Sequence, residues 1–430
     1  MSSDAAQNTE SNGNRVETFG CRLNAYESQV IRDHLERSGR TGTIVVNTCA
    51  VTSEAERQAR QSIRKLRREN PEAEIVVTGC AAQIAPARYA EMDEVDRVVG
   101  NEEKLREDAW GLGDHPEIAV NDIMSVRETA PHLVSSFDGR ARAFLEVQQG
   151  CDHRCTFCII PFGRGNSRSV PIGVIVEQMR ALVENGFSEI VLTGVDVTSY
   201  GSDLPGTPSL GQMIRRVLAL VPELQRLRLS SVDPVELDAE LLGLFADEPR
   251  MMPHLHLSLQ AGDDMILKRM KRRHLRRDVV RVVEELRALR PEIAFGADVI
   301  AGFPTETDEM FQNGLDLIDE LGLQHLHVFP YSPRPGTPAA KMPQVPGDVR
   351  KARAAKLRDL GARNLQSWMQ TLVGSTDRVL VERESEGRGE SFALARVAGQ
   401  ATAGDLVDVR YVRVEGDRLI AEPVARRKTA

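Results

Sequence analysis

The chain has 430 residues, 41% hydrophobic and 27% charged, with a formal net charge of −8 and six cysteines. That length predicts two or three domains; the composition supports packed cores and excludes wholesale disorder, and the acidic balance excludes a general nucleic-acid-coating protein. The opening MSSDAAQNTESNGN lacks the charged and apolar regions of a secretory signal, and no apolar run reaches the length of a membrane span, so a cytoplasmic protein without a membrane partner is expected.

Residues 1–14 read as a polar tail. From 15 to 112, β-rich runs at 15–19, 43–48, 74–79 and 97–99 alternate with helical patterns near 24–38, 54–69 and 82–91. This alternation predicts an open parallel α/β sheet covered by helices. Cys21, Cys49 and Cys80 each fall just past a strand's C-terminal end, the edge where such sheets gather ligands, so three distant thiols are expected to converge. A turn-rich linker (113–142) leads to a second block, 143–347. Its strand candidates are 144–149, 189–194, 226–231, 254–260, 294–300 and 325–331, with helical patterns at 172–186, 209–221, 263–290 and 306–321. Six β/α units predict a barrel, complete or partial, with its site at the strands' C-terminal ends. A basic connecting helix (348–373) then leads to 374–430, where RVLVER, SFALARV, DLVDVRYV and LIAEPV predict a small β-barrel. Barrels of that size bind single-stranded RNA, but the balanced charge of this one fits a structural module equally well. No coiled-coil seam is evident, and a monomer is expected.

Six cysteines in a reducing compartment do not read as three disulfides. Cys151-Asp-His-Arg-Cys155-Thr-Phe-Cys158 is a C-x3-C-x2-C triplet just past the first strand of the second block. Three thiolates on one loop can hold three irons of a 4Fe–4S cube and leave the fourth without a protein ligand. The competing reading is zinc, with His153 completing a closed tetrahedral site. With an aromatic before its last cysteine, the triplet resembles the radical-SAM superfamily. That resemblance implies that the open iron chelates S-adenosylmethionine. It also implies that Asp196, in LTGVDVTSYG, faces the methionine moiety and that Ser258 and Gln260, in SLQAGDD, hold the ribose. ADVIAGFPTET (297–307) resembles the segment near the adenine, with Asp298 and Gly302 as candidates, although Ala297 stands where the family has glycine.

TFGCRLNAYES, NTCAVTSEAERQAR and TGCAAQ (18–28, 47–60 and 78–83) resemble the N-terminal domain of methylthiotransferases. The resemblance implies a second 4Fe–4S cluster on Cys21, Cys49 and Cys80 that carries the sulfur to be transferred; the competing reading is three buried structural cysteines. Asn24 and Asn47 read as hydrogen-bonding loop residues rather than ligands. The likeness extends to a C-terminal domain like the TRAM modules that contact RNA. Among the branches of the family, these motifs together with IIPFGRGNSRS are most similar to the one acting on threonylcarbamoyladenosine in tRNA. The isopentenyladenosine branch and the branch acting on a ribosomal-protein aspartate differ at the first two motifs. The family reading implies radical chemistry at C2 of the adenine of nucleotide 37, sulfur insertion and methylation by a second S-adenosylmethionine. It also implies the tRNA anticodon loop, an electron donor and a sulfur source as partners. The basic run KRMKRRHLRR (268–277) reads first as a solvated face. With RNA as substrate, Lys271, Arg272 and Arg273 in that run become docking candidates. Arg164 and Arg168 become candidate donors to RNA phosphate or the threonyl carboxylate.

Overall fold

A computed structural model of the chain describes residues 10–11, 13–127 and 141–424. In the N-terminal unit, apolar residues alternate between two covered faces of one sheet. Ile44, Val46, Ile75 and Val77 pack with Ile63 and Leu66 of the helix Ser53–Glu69. Val45 and Val76 pack on the opposite side with Ile31 and Leu35 of the helix Arg22–Ser38 and with Trp110. Burial on both faces is why these strands read as continuous apolar runs. Strand order follows the chain: Glu10–Ser11, Asn14–Thr18, Thr43–Thr48, Glu74–Gly79, Arg97–Val99, Ile118–Ala119. The first pair is antiparallel and the others parallel. The sheet thus continues past 112 into the expected linker, of which 128–140 lie outside the described residues. The helical pattern at 82–91 is two short helices, Cys80–Ile84 and Pro86–Ala90, because Pro86 donates no hydrogen bond and pushes Ala85 out of helical geometry.

The second unit is a half-open barrel of parallel strands: Ala143–Gln149, Glu189–Gly194, Arg226–Leu229 continued by Ser231–Val232, His254–Gln260, Ala294–Ala301 and His325–Pro330. The third strand breaks at Ser230 and passes from one four-stranded sheet to the other. Leu255, Leu257, Leu259, Phe295, Ala297 and Val299 join the core beneath the surrounding helices, which turns the alternate residues His256, Ser258, Gln260 and Asp298 to the other face of the sheet, the barrel lumen. The expected helix 263–290 is two, Asp264–Met270 and Arg276–Leu289, with Lys271 in a left-handed turn between them (φ 58°). A helix that the sequence reading missed, Ala239–Asp247, is capped by the Asp238 carboxylate.

The helix Gly347–Leu372 runs along the last strand, where Gly361 leaves room for Leu326. It leads to a closed barrel ordered Thr376–Arg383, Glu386–Arg388, Leu394–Val397, Arg418–Pro423, Leu406–Glu415. This module docks on the N-terminal ends of the larger barrel's strands, opposite the cysteines. Phe392 stacks on His254 (centroids 4.6 Å apart) and is flanked by the Arg142, Arg228 and Arg388 guanidiniums. Arg228 donates to the carbonyls of Gly389 and Glu390, both at 2.8 Å. Buried Glu189 gathers Arg228 (2.7 Å), Arg142 (3.4 Å) and Arg226 (3.5 Å). Among the described residues no helix is long and apolar enough to cross a membrane.

Candidate iron–sulfur and substrate site

The three N-terminal cysteines occupy three consecutive strand-to-helix turns: Cys21 at the start of Arg22–Ser38, Cys49 after Thr43–Thr48, and Cys80 opening Cys80–Ile84. Cys21 is exposed, Cys80 half-buried and Cys49 buried. The turns touch. A Cβ on Gly20 (φ 106°) would lie 2.8 Å from Cys49 Sγ, so glycine is what allows the Cys21 turn to close on Cys49. Asn24 ties the turns together, its amide donating to the carbonyls of Phe19 (2.6 Å) and Thr48 (3.0 Å). Asn47 does similar work, donating to Asn24 O and Ser28 Oγ, both at 3.0 Å. Burial, with repulsion from Cys21 and Cys80 added, pushes the Cys49 thiol up to about 12. A metal bound there must displace protons, which couples its binding to pH.

The second triplet meets the first. Cys80 packs against Gly163, on the segment that follows Cys158. From the same segment Arg164, only 1% exposed, donates from Nε to Cys80 Sγ at 3.1 Å and from Nη2 to Asn24 Oδ1 at 2.6 Å. Its fork also grips both oxygens of buried Glu27, to which Lys104 Nζ donates at 2.7 Å. Asn101 completes the seam, donating to Gly163 O at 2.5 Å and lying 3.8 Å from Cys80 Sγ. On the other flank, Arg334 pairs with Glu56, and Ser332 Oγ lies 3.0 Å from Ser53 Oγ, joining the loop after the last barrel strand to the helix after Cys49.

Around Cys151, Cys155 and Cys158 the loop is held by its own backbone and by the helix Asp264–Met270. Cys158 N–H donates to Cys155 O (3.1 Å), Cys151 N–H to Gly165 O (3.1 Å), and Thr156 Oγ1 to Arg269 O (2.7 Å). Burial, with repulsion from Cys155 added, pushes the Cys158 thiol up to about 12. Arg272 lies with Nη1 3.7 Å from Cys155 Sγ and donates from Nη2 to Asp233 (2.8 Å) and Ser258 O (2.9 Å). Asp196 lies 3.7 Å from Cys151 Sγ and 3.0 Å from His153 Nε2, and its backbone N–H donates to Gln148 Oε1 at 2.8 Å. The donor set suits a cluster and S-adenosylmethionine. Three thiols converge on one side, and beside them the Arg272 side chain has its Nε buried without a partner among the described residues, a polar atom that a bound ligand can satisfy.

Residues 145–318 match the Radical SAM superfamily and residues 14–100 match a family described only as "Uncharacterized protein family UPF0004". The chain is 56% identical over 400 residues (93% of this chain, 95% of the relative) to the threonylcarbamoyladenosine tRNA methylthiotransferase of Rickettsia prowazekii. The chain belongs to the radical-SAM methylthiotransferase family. It is 34% identical to the tRNA-2-methylthio-N(6)-dimethylallyladenosine synthase of Cereibacter sphaeroides, over 95% of this chain and 97% of that one. A solved radical S-adenosylmethionine methyltransferase from Kitasatospora setae, 18% identical, covers 74% of this chain and 69% of its own at a TM-score of 0.53, a likeness of fold alone. Membership in the Radical SAM superfamily implies S-adenosylmethionine and one 4Fe–4S cluster.

For a member of this family the structure rearranges the expected site residues. Arg164 and Arg168 are 1% and 5% exposed; Arg168 is spent on the carbonyls of Asn166 (2.9 Å) and Arg164 (3.2 Å). Both are buried away from the surface, Arg164 bonded across the seam to the N-terminal unit and Arg168 bonded within its own loop. Arg272 also faces inward, toward Cys155, while Lys271 and Arg273 are exposed. Arg269 and Arg276 of the same run bind Thr305 and Asn313 carbonyls, so the run is not a free basic face. Ser258 and Gln260 lie at the lumen's upper rim, with Gln260 at a strained φ of 67°. Gly302 carries φ 70° and donates to Glu306 at 3.0 Å. Asp298 is engaged from both sides by His256 (3.1 Å) and His327 (3.2 Å). The sequence reading missed those histidines, Arg272's place beside Cys155, and the Glu27–Lys104–Arg164 assembly. The alternation HLHLSLQ and HLHVF carries the signal for the histidines, since polar residues at every second position of a barrel strand point into the lumen.

Proposed function

We propose that this chain converts N6-threonylcarbamoyladenosine at position 37 of tRNA to its 2-methylthio derivative. The observation that carries the reading is the 56% identity, across nearly the whole of both chains, with a relative of that name. The two cysteine triplets meeting across Gly163 and Arg164 support it independently, since sulfur insertion needs two iron centres serving one substrate. Cys151, Cys155 and Cys158 hold the cluster that binds S-adenosylmethionine; Cys21, Cys49 and Cys80 hold a second one. When bound, these groups supply the radical chemistry, the sulfur and the methyl group.

The chain's own residues position and enclose. Arg272 fixes the Cys155 side of the lumen and keeps its free Nε there for a ligand, and Asp196 offers carboxylate acceptors beside Cys151. The Arg164–Glu27–Lys104 assembly excludes water from the Cys80 side. Phe162, 53% exposed on the short helix Ile160–Arg164 that follows Cys158, offers a stacking face of the kind that single-stranded RNA bases use. An electron donor and a sulfur source complete the reaction.

The test is deletion of the gene followed by nucleoside mass spectrometry of total tRNA. The expected outcome is loss of 2-methylthio-threonylcarbamoyladenosine with the unthiolated nucleoside accumulating. Loss of the methylthio group from isopentenyladenosine instead moves the chain to the other tRNA branch. No change in any tRNA nucleoside overturns the tRNA reading.

A further inference from the structure

A second cluster of ligand-type side chains lies in the barrel lumen, on three neighbouring strands. His256, Asp298 and His327 sit on His254–Gln260, Ala294–Ala301 and His325–Pro330. Register brings them side by side: Asp298 pairs directly with His327, and His256 pairs with Gly296, the preceding lumen-facing residue of Asp298's strand. That glycine is a condition of the arrangement. A Cβ at 296 would stand 2.3 Å from His256 Nδ1, so any other residue would displace the ring that points Nε2 at Asp298.

From this geometry we infer a binding site for a divalent first-row metal ion at His256 Nε2, Asp298 Oδ1 and His327 Nδ1. All three donor atoms lie within 4.8 Å of one another. Both nitrogens converge on the same carboxylate oxygen, at 3.1 and 3.2 Å. Ligands about 2.0–2.2 Å from a common ion stand about 3.0–3.4 Å apart along the edges of its coordination polyhedron, which matches both separations. Two histidines and one carboxylate from adjacent strands form a three-cornered face and leave the remaining positions open, the donor set of Fe(II) and Zn(II) centres. The open side is visible in the exposures. His256 is 5% exposed, Asp298 22% and His327 40%, so the cluster is closed against the strands and open toward the lumen. None of the six cysteines takes part, so the site is separate from both triplets.

The test uses the holoenzyme with its cysteine sites loaded with iron and sulfide, so that no thiol competes. Equilibrium dialysis against Zn2+, and separately against Fe2+ under anaerobic conditions, should find one equivalent bound per chain beyond the clusters. Zn2+ should also raise the melting temperature of the wild type in a concentration-dependent way. His327→Gln, at the most exposed of the three positions, should weaken the ion by about 10–100-fold while iron and sulfide content stay unchanged. Asp298→Asn should do the same. Gly296→Ala should too, although it alters no donor. No bound equivalent in the wild type overturns the site, and this outcome needs no variant to fold. An equivalent held as tightly by His327→Gln and Gly296→Ala as by the wild type also overturns it, and leaves a carboxylate hydrogen-bonded between two imidazoles.

Discussion

Arg164→Ala tests whether the two cysteine triplets are built as one centre. The guanidinium is almost wholly buried and makes four hydrogen bonds into the N-terminal unit: one to Cys80 Sγ, one to Asn24 and two to Glu27. Alanine leaves Glu27, itself 0% exposed, with Lys104 as its remaining cation. Removing one partner from a buried ion pair costs about 3–5 kcal/mol, because the other charge stays buried. Lys104 at 2.7 Å compensates part of that, so a loss near about 3 kcal/mol is expected. The seam between the units carries the loss, and with it the Cys80 ligand. Thermal unfolding of the loaded protein should therefore begin several degrees lower, and iron and sulfide content should fall by about half, while 5′-deoxyadenosine production from the barrel cluster persists. Arg164→Lys keeps the charge but not the planar fork and should fall between. An alanine variant that melts with the wild type and keeps its full iron would refute the reasoning, making the Arg164–Cys80 contact incidental.

Cys151→Ala should abolish 5′-deoxyadenosine formation outright, whereas Cys80→Ala should retain it and lose thiolation; a Cys80→Ala enzyme that still thiolates tRNA would remove the second triplet from the reaction. Glu146 is 4% exposed, and burial together with repulsion from Glu27 pushes its carboxyl up to about 8. The folded state then binds a proton that the unfolded state releases from about pH 4.3 upward, so stability falls as pH rises from there to about 8. Glu146→Gln, which needs no proton, should be more stable by about 2–4 kcal/mol at pH 7 and should flatten that part of a pH–melting profile; a parallel loss in both proteins counts against the shift. Glu189 has the opposite sign. Burial raises its carboxyl, but Arg228, Arg142 and Arg226 outweigh it and hold it at about 2, so its contribution is present above about pH 4.3 and lost as pH falls toward 2. Glu189→Gln should cost about 3–5 kcal/mol at neutral pH and loosen the C-terminal barrel first, read by the fluorescence of Trp368, whose ring meets His325 at 5.4 Å; unchanged fluorescence through melting would count against it.

The strands of the N-terminal sheet were legible because both of its faces are buried, and runs such as TIVVNT and EIVVTG admit no other reading at that length. The cysteines were legible for a related reason: once strand ends are known, residues just past them are known to share an edge. Helix 239–247 went unread because it is short and its capping Asp238 stands among other acids and turns. The break at Lys271 went unread because its basic neighbours are good helix formers, and what stops the helix is tertiary: Arg269 and Arg272 are drawn toward Thr305, Asp233 and Cys155. Arg164 shows the wider limit. An arginine beside a cluster motif in a substrate-binding protein reads as a donor to RNA. Only the docking of two units far apart in sequence shows that Glu27, 137 residues away, already holds it.

The position of the C-terminal barrel bears on how RNA is held. It meets the barrel strands at their N-terminal ends through Phe392, Arg228 and Glu189, while Cys151, Cys155 and Cys158 lie beyond the opposite ends. A strand such as Ala143–Gln149, 7 residues long, separates these ends by about 20 Å at roughly 3.3 Å per residue. The module therefore cannot touch a base that is in reach of the cysteines. Any RNA it holds is a part of the molecule distant from the modified nucleotide. Of its exposed arginines among the described residues, Arg396 is paired with Glu386 and Arg413 with Glu415, while Arg383 and Arg410 have no acidic partner there. Its contribution to the fold, by contrast, is direct: Phe392 adopts a left-handed φ of 72° to place its ring among the Arg142, Arg228 and Arg388 guanidiniums, a strained conformation that persists only where its surroundings compensate it. Closing one end of a half-open barrel whose other end must stay open to a nucleotide is work that this position allows, and reading the base is not.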